Sequence, residues 1–173
     1  MEKPITIADI GTGSGILAIY LKSRLPNAKV IATDISEKCL RIASENAKNH
    51  NVIIDFRQGN MMEPIKEKLD VIISNPPYIE SEETVDEQTL KYEPHLALFA
   101  SPKTKYYEEI LSNMDKMNDE FFMAFEIGED MKEELTNLLE DKYQGIGYSF
   151  MEDIYFKTRF LYLYKFKDLE KYE

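Results

Sequence analysis

The stretch Ile5-Thr6-Ile7-Ala8-Asp9-Ile10-Gly11-Thr12-Gly13-Ser14-Gly15 reads as a strand that runs into a glycine turn. Its first six residues are mostly β-branched and apolar, the pattern of a buried strand, and three glycines at alternate positions break it. A segment of helical period follows, Ile16 to Leu25, and stops at Pro26-Asn27. Strand, turn and helix are the first half of a βαβ unit, which joins parallel strands by a right-handed crossover.

The alternation continues outward from there. Lys29 to Thr33 is the expected second strand, and Ser36 caps a helix through Asn49 with Glu37 in its first turn, where the helix dipole favours an anion. Val52 to Arg57 and Leu69 to Ser74 give strands three and four. Glu80 to Ala100 is a long connection, acid-rich at its start and apolar only near Leu96-Ala97-Leu98-Phe99; connections of that length in a compact domain are usually functional or mobile. A helix over Tyr106 to Met117, a fifth strand over Phe121 to Ile127 and an amphipathic helix over Asp130 to Tyr143 follow, the last ended by Gly145-Ile146-Gly147. Tyr148 to Phe156 and Thr158 to Phe166 are joined too tightly for a crossover helix and must pair antiparallel. The charged tail, Lys167 to Glu173, is expected to fray. The expected architecture is one α/β domain over residues 1–173: a mostly parallel, Rossmann-like, seven-stranded sheet with an antiparallel C-terminal hairpin and helices on both faces.

Composition narrows the partners. A formal charge of −11 opposes binding to phosphate backbones, so nucleic acid is disfavoured. The single cysteine, Cys39, excludes an internal disulfide, fits a reducing compartment and reads as a half-buried helix residue. Met1-Glu2-Lys3-Pro4 carries no apolar signal segment and no run is long enough to span a bilayer, which points to a soluble, cytoplasmic protein without a membrane partner.

Three loops carry chemistry. The glycines are spaced G-x-G-x-G, whereas a dinucleotide turn is spaced G-x-G-x-x-G to bring a pyrophosphate to the helix N-terminus. Asp34 lies 23 positions after Gly11 at the end of the second strand, where a carboxylate can accept both hydroxyls of a ribose. After the third strand, Gln58-Gly59-Asn60-Met61-Met62 reaches the same sheet edge, placing Asn60 for an adenine edge and Met61 for its ring face. Together these indicate a nucleoside cofactor. The fourth strand ends in Asn75-Pro76-Pro77-Tyr78, where two prolines supply no N–H and hold φ fixed, so an amide and an aromatic ring leave the sheet rigidly at its carboxyl edge.

The order Asp9-x-Gly-x-Gly-Ser-Gly15, an acid after the second strand, a polar loop after the third and Asn-Pro-Pro-Tyr after the fourth resembles the class I S-adenosylmethionine-dependent methyltransferases. Asn75-Pro76-Pro77-Tyr78-Ile79, with Tyr92-Glu93-Pro94 and Leu96-Ala97-Leu98 beyond it, is similar to one branch, the HemK/PrmC family. Its members methylate the Gly-Gly-Gln glutamine of peptide chain release factors. The resemblance runs from Ile7 to about Tyr164, including Phe125-Glu126-Ile127-Gly128 and the terminal hairpin. It implies S-adenosyl-L-methionine as cofactor, its methionine part against Asp9, Gly11 and Gly13, its ribose on Asp34 and its adenine near Asn60 and Met61. With Thr12, Gly15, Ile35 and Asn75 these form the expected cofactor-binding set. Asn75, Pro76, Pro77 and Tyr78 form the expected catalytic set, with Asn75 Oδ1 and the Pro76 carbonyl accepting the two N–H groups of the substrate amide and Tyr78 walling the pocket.

No metal is called for, and neither His50 nor His95 is expected to act as a base. Asn60 stands where the family usually has an acid, but an amide still presents an oxygen to an amino group. Asp119-Glu120 replace a glycine pair and are expected in a surface turn before the fifth strand. Family members also carry an N-terminal helical substrate-recognition domain, so the chain is expected to be the catalytic half alone. Apolar surface beside the first strand then favours self-association or a partner subunit. Two alternatives stay open. Adenine-N6 and guanine-N2 methyltransferases of nucleic acids share Asn-Pro-Pro-Tyr and grip a flipped base with it. A weakly active cofactor-binding subunit needing a partner is the other.

Overall fold

A computed structural model of the chain describes residues 4–80 and 99–167. Tyr92-Glu93-Pro94, His95, Leu96-Ala97-Leu98 and the tail beyond Lys167 lie outside the described residues. The elements are β1 (Thr6–Ile10), α1 (Ile16–Arg24), β2 (Lys29–Asp34), α2 (Glu37–Asn49), β3 (Asp55–Gln58), β4 (Leu69–Ser74), α3 (Lys105–Leu111), β5 (Met117–Glu126), α4 (Lys132–Lys142), β6 (Gly147–Glu152) and β7 (Thr158–Lys165). They form a seven-stranded sheet in the order β3-β2-β1-β4-β5-β7-β6. The first five strands are parallel, and β7 runs antiparallel between β5 and β6.

Successive residues of a strand point to opposite faces, so the sheet builds two cores. Ile7 and Val30 pack with Ala18 of α1 on one face; Ala8, Ile10 and Ile72 join Tyr107 of α3 and Leu135 of α4 on the other. Among the described residues no helix is long and apolar enough to cross a membrane. Ile16, Leu17 and Tyr20 of α1 are exposed, as is Ile5 beside β1.

Several boundaries differ from expectation, the larger ones for local reasons. The third strand begins at Asp55 rather than Val52 because Asn51 turns left-handed (φ +56°) and Val52 N–H closes α2 on the Ala47 carbonyl, leaving Ile53 in solvent. The helix expected through Met117 ends at Leu111 and is followed by a 3-10 turn, Met114–Lys116, because Met117 pairs with Leu69 and belongs to β5. Asp119 and Glu120 therefore lie within β5 instead of a turn before it, exposed where the register slips between Leu69 and Val71. The first hairpin strand stops at Glu152. Asp153 folds the tip back: its Oδ1 accepts the Tyr155 N–H at 2.7 Å, its own N–H donates to the Lys157 carbonyl at 2.8 Å, and Phe156 adopts φ +61°.

Candidate active site

The switch point of the sheet lies between β1 and β4. Ile10 is in register with Ser74, so Gly11 and Asn75 leave the sheet side by side; the Ser74 hydroxyl donates to the Ile10 carbonyl at 2.7 Å and ties the two exits together. On the other side Ile10 faces Thr33 and Asp34 faces Gln58, which brings the ends of β2 and β3 to the same edge. Crevices at such points are where open α/β sheets take ligands.

A cleft of ≈ 230 Å³ opens there. Gly11, Gly13, Asp34, Ile35, Asn60, Met61 and Asn75, all expected in the cofactor-binding set, line it. Gly11 and Gly13 have φ +70° and +55°, and a Cβ at either would meet no protein atom within 4 Å, so the bare backbone leaves room for a ligand. Asp34 is held from both sides: Gly13 N–H donates to its Oδ2 at 2.9 Å and Ser36 N–H to its Oδ1 at 2.8 Å. An ionised carboxylate has about four acceptor positions, so each oxygen keeps one for a ribose hydroxyl. A ribose, with two hydroxyls to donate, fits this pair of acceptors.

Asp9, Thr12 and Gly15 are placed differently. None lines the cleft; they build the turn beneath it. The buried Asp9 Oδ2 accepts the Thr12 hydroxyl at 2.6 Å and Ala18 N–H at 3.0 Å. Gly15, the N-cap of α1, has no side chain to offer, so Asp9 supplies the acceptor for the first turn of the helix from the strand below. Burial, with a smaller contribution from the Asp34 charge, pushes the Asp9 carboxyl up to about 6. At Gly15, with φ +83°, a Cβ would come within 2.9 Å of Ala43 Cβ, so glycine also permits α1 and α2 to approach closely.

The elbow splits between two clefts. Asn75 is exposed and makes no hydrogen bond among the described residues, Pro76 is buried, and Pro77 joins Asn75 at the first cleft. Tyr78 faces a second cleft of ≈ 500 Å³ lined by Lys103, Gly128, Lys157 and Arg159 among others, and is not among the residues that line the first. Its direction is set from the far end of the chain. The Tyr78 hydroxyl donates to Glu126 Oε1 at 3.3 Å and accepts from Arg159 Nη2 at 3.1 Å, while Arg159 and Glu126 pair at 3.0 Å. Burial and the Glu126 charge raise the Tyr78 phenol above its ordinary range. Tyr107, buried next to it, donates to the Glu126 backbone carbonyl at 2.7 Å.

Sequence reasoning missed several lining residues. Ser36 and Cys39, the cap and third residue of α2, line the first cleft, and Cys39 is half-buried there; their position directly after Asp34 was the available signal. Tyr106 of α3 lines it too. Three residues on, Glu109 accepts a hydrogen bond from Asn60 Nδ2. Neither had a local signal.

Comparison with known proteins decides the family. The methyltransferase small domain family matches residues 1–93, over half of the 173 residues. The chain belongs to this family. Similar to this methyltransferase small domain is the release factor glutamine methyltransferase of Staphylococcus aureus (strain NCTC 8325 / PS 47), 37% identical over 161 residues, 89% of this chain and 58% of that protein. The release factor glutamine methyltransferase of Streptococcus pneumoniae (strain ATCC BAA-255 / R6) is 47% identical over 102 residues, 58% of this chain and 37% of its own length. The chain thus spans well under two thirds of these relatives. Among solved structures, the ribosomal protein L11 methylase of Lactobacillus delbrueckii subsp. bulgaricus matches with a TM-score of 0.66 at 23% identity, covering 95% of this chain and 70% of that one. TrmN of Thermus thermophilus matches with 0.67 at 22%, covering 94% and 45%. At those identities they establish the class I methyltransferase fold.

Proposed function

We propose that this chain is the catalytic part of an S-adenosylmethionine-dependent methyltransferase acting on the side-chain amide of a glutamine, in the Gly-Gly-Gln motif of a peptide chain release factor. The observation that carries the reading is the Asn75 amide, without a hydrogen-bond partner among the described residues, standing beside Gly11 at the mouth of the cleft. The names of the curated relatives supply the acceptor.

The bound cofactor supplies an electrophilic methyl group on a sulfonium sulfur. Gly11 and Gly13 would leave the space for its methionine arm, Asp34 would hold the ribose, and Asn60 and Met61, which line the same cleft, would border the base. A carboxamide nitrogen is a weak nucleophile because its lone pair is delocalised, so orientation has to do most of the catalysis. Asn75 Oδ1 and the Pro76 carbonyl would accept its two N–H groups, which orients the nitrogen and favours the positive charge that develops on it. The alkylated amide nitrogen would give up one proton to solvent, with a neutral thioether as the other product.

Label from S-[methyl-³H]adenosylmethionine is expected in a release factor but not in its glutamine-to-alanine variant, nor in RNA or DNA. Label in RNA or DNA instead would transfer the elbow's role to a flipped base. Asp34→Ala is expected to weaken binding of S-adenosylhomocysteine by about 1.5–3 kcal/mol, the worth of charge-assisted hydrogen bonds. Unchanged affinity by calorimetry would take Asp34 out of the site.

A further inference from the structure

We propose that Glu109 is a positioning residue that holds the Asn60 amide with its oxygen free for the base, so that Asn60 selects a purine bearing an amino group over one bearing a carbonyl. The inference rests on the nucleoside reading of the cleft and deepens it.

An asparagine amide is nearly symmetric in shape, and its two orientations offer opposite chemistry: a carbonyl acceptor or an amino donor. Something must choose between them. The Glu109 carboxylate, when ionised, only accepts, so only the Nδ2 end of Asn60 can face it; the structure has Asn60 Nδ2 donating to Glu109 Oε1. Holding the Nδ2 end on Glu109 blocks the flip that would exchange the two ends of the amide, so Oδ1 keeps its place at the cleft the side chain lines, with the second Nδ2 proton at the end held by Glu109. A 6-amino group donates to that oxygen, whereas a 6-oxo group meets it acceptor to acceptor.

Both partners are themselves held. The Asn60 carbonyl accepts Glu63 N–H at 2.9 Å in a tight turn, and the Thr33 hydroxyl donates to the Met61 carbonyl at 3.0 Å, pinning the loop to β2. On α3, Tyr106 and Glu109 are three residues apart and share a face; Tyr106 reaches the cleft and Glu109 stands behind Asn60. The Glu109 carbonyl accepts Asn113 Nδ2 at 2.9 Å and the Ser112 hydroxyl at 2.8 Å, which secures the end of the helix. Glu109 itself is not a lining residue, so it acts on a base only through Asn60.

The test compares Kd for S-adenosylhomocysteine and S-inosylhomocysteine by calorimetry in the whole chain, each variant serving as its own reference. The parent chain is expected to prefer the adenosyl compound. Glu109→Ala is expected to lower that preference by about 2- to 13-fold, the equivalent of one neutral hydrogen bond. Glu109→Gln, whose carbonyl can take the same Nδ2 proton, is expected to keep it, and in an Asn60→Ala background Glu109→Ala is expected to change the preference no further. Affinities that fall together by one factor in Glu109→Ala, a preference unaltered in that variant, or an equal loss without Asn60 would overturn the role. A parent chain that binds neither compound would overturn the nucleoside reading itself, and the proposal with it.

Discussion

Asn75→Ala is expected to cut methyl transfer to the glutamine substrate by about 10²- to 10³-fold, the loss typical of removing one preorganised polar group from a transition state. Its affinity for S-adenosylhomocysteine is expected to stay close to that of the parent chain. The separation follows from where Asn75 sits. Its side chain is exposed and makes no hydrogen bond among the described residues, so its loss strands no buried partner and the fold is untouched. The cofactor keeps Asp34, which the Gly13 and Ser36 amides hold in place independently of β4. What disappears is the acceptor that aligns the substrate nitrogen, and alignment is where most of the rate is expected to come from. Single-turnover transfer of labelled methyl, measured beside calorimetry, separates the two quantities; near-normal transfer would remove Asn75 from the catalytic set.

The second large effect concerns stability and pH. Burial raises the Asp9 carboxyl from 3.8 to about 6 in the folded chain. Between those values the folded state holds a proton that the unfolded state has released, so this group's contribution falls as pH rises through the window and is flat above it. The difference of about two pK units corresponds to about 3 kcal/mol at neutral pH, as an order of magnitude. Asp9→Asn keeps an oxygen to accept the Thr12 and Ala18 bonds and removes the buried charge. It is expected to be more stable than the parent by about 1–3 kcal/mol at pH 7.5 and no more stable at pH 4. Urea unfolding at the two pH values measures this, and a destabilisation at pH 7.5 that disappears at pH 4 would show that the charge itself holds the turn.

The parts of the fold that depend on short-range signals could be read from the chain. The glycine turn, the capped start of α2 and the run of β1 to β4 into two prolines each declare themselves within about ten residues, and the tight link after Glu152 demanded an antiparallel pair. The place of Asp34 at the end of β2, on the rim of the cleft, was legible for the same reason. The bracing by Asp9 was not: alternation along β1 puts it on the face of Ile7, beneath α1, where its carboxylate takes up the Thr12 hydroxyl and the Ala18 N–H. Tyr78 shows the limit more sharply. The prolines set the backbone of the elbow, but its ring is turned by Glu126 and Arg159, 48 and 81 residues further along, and no local pattern announces a partner at that range. Glu109, 49 residues from Asn60, was hidden in the same way.

The interior place of β7 has a consequence for the order of assembly. A growing chain releases β1 to β5 first, and these five parallel strands can collapse while β5 still has an open edge. That edge carries Phe121, Met123 and Phe125, and it stays a template for wrong pairing until Thr158–Lys165, the last described strand, has emerged and slid in beside it. Arg159 arrives with the same strand. The proline elbow is therefore among the earlier segments to be made and among the last to be braced, and a chain interrupted before Thr158 carries every residue of the nucleoside cleft without the group that orients Tyr78.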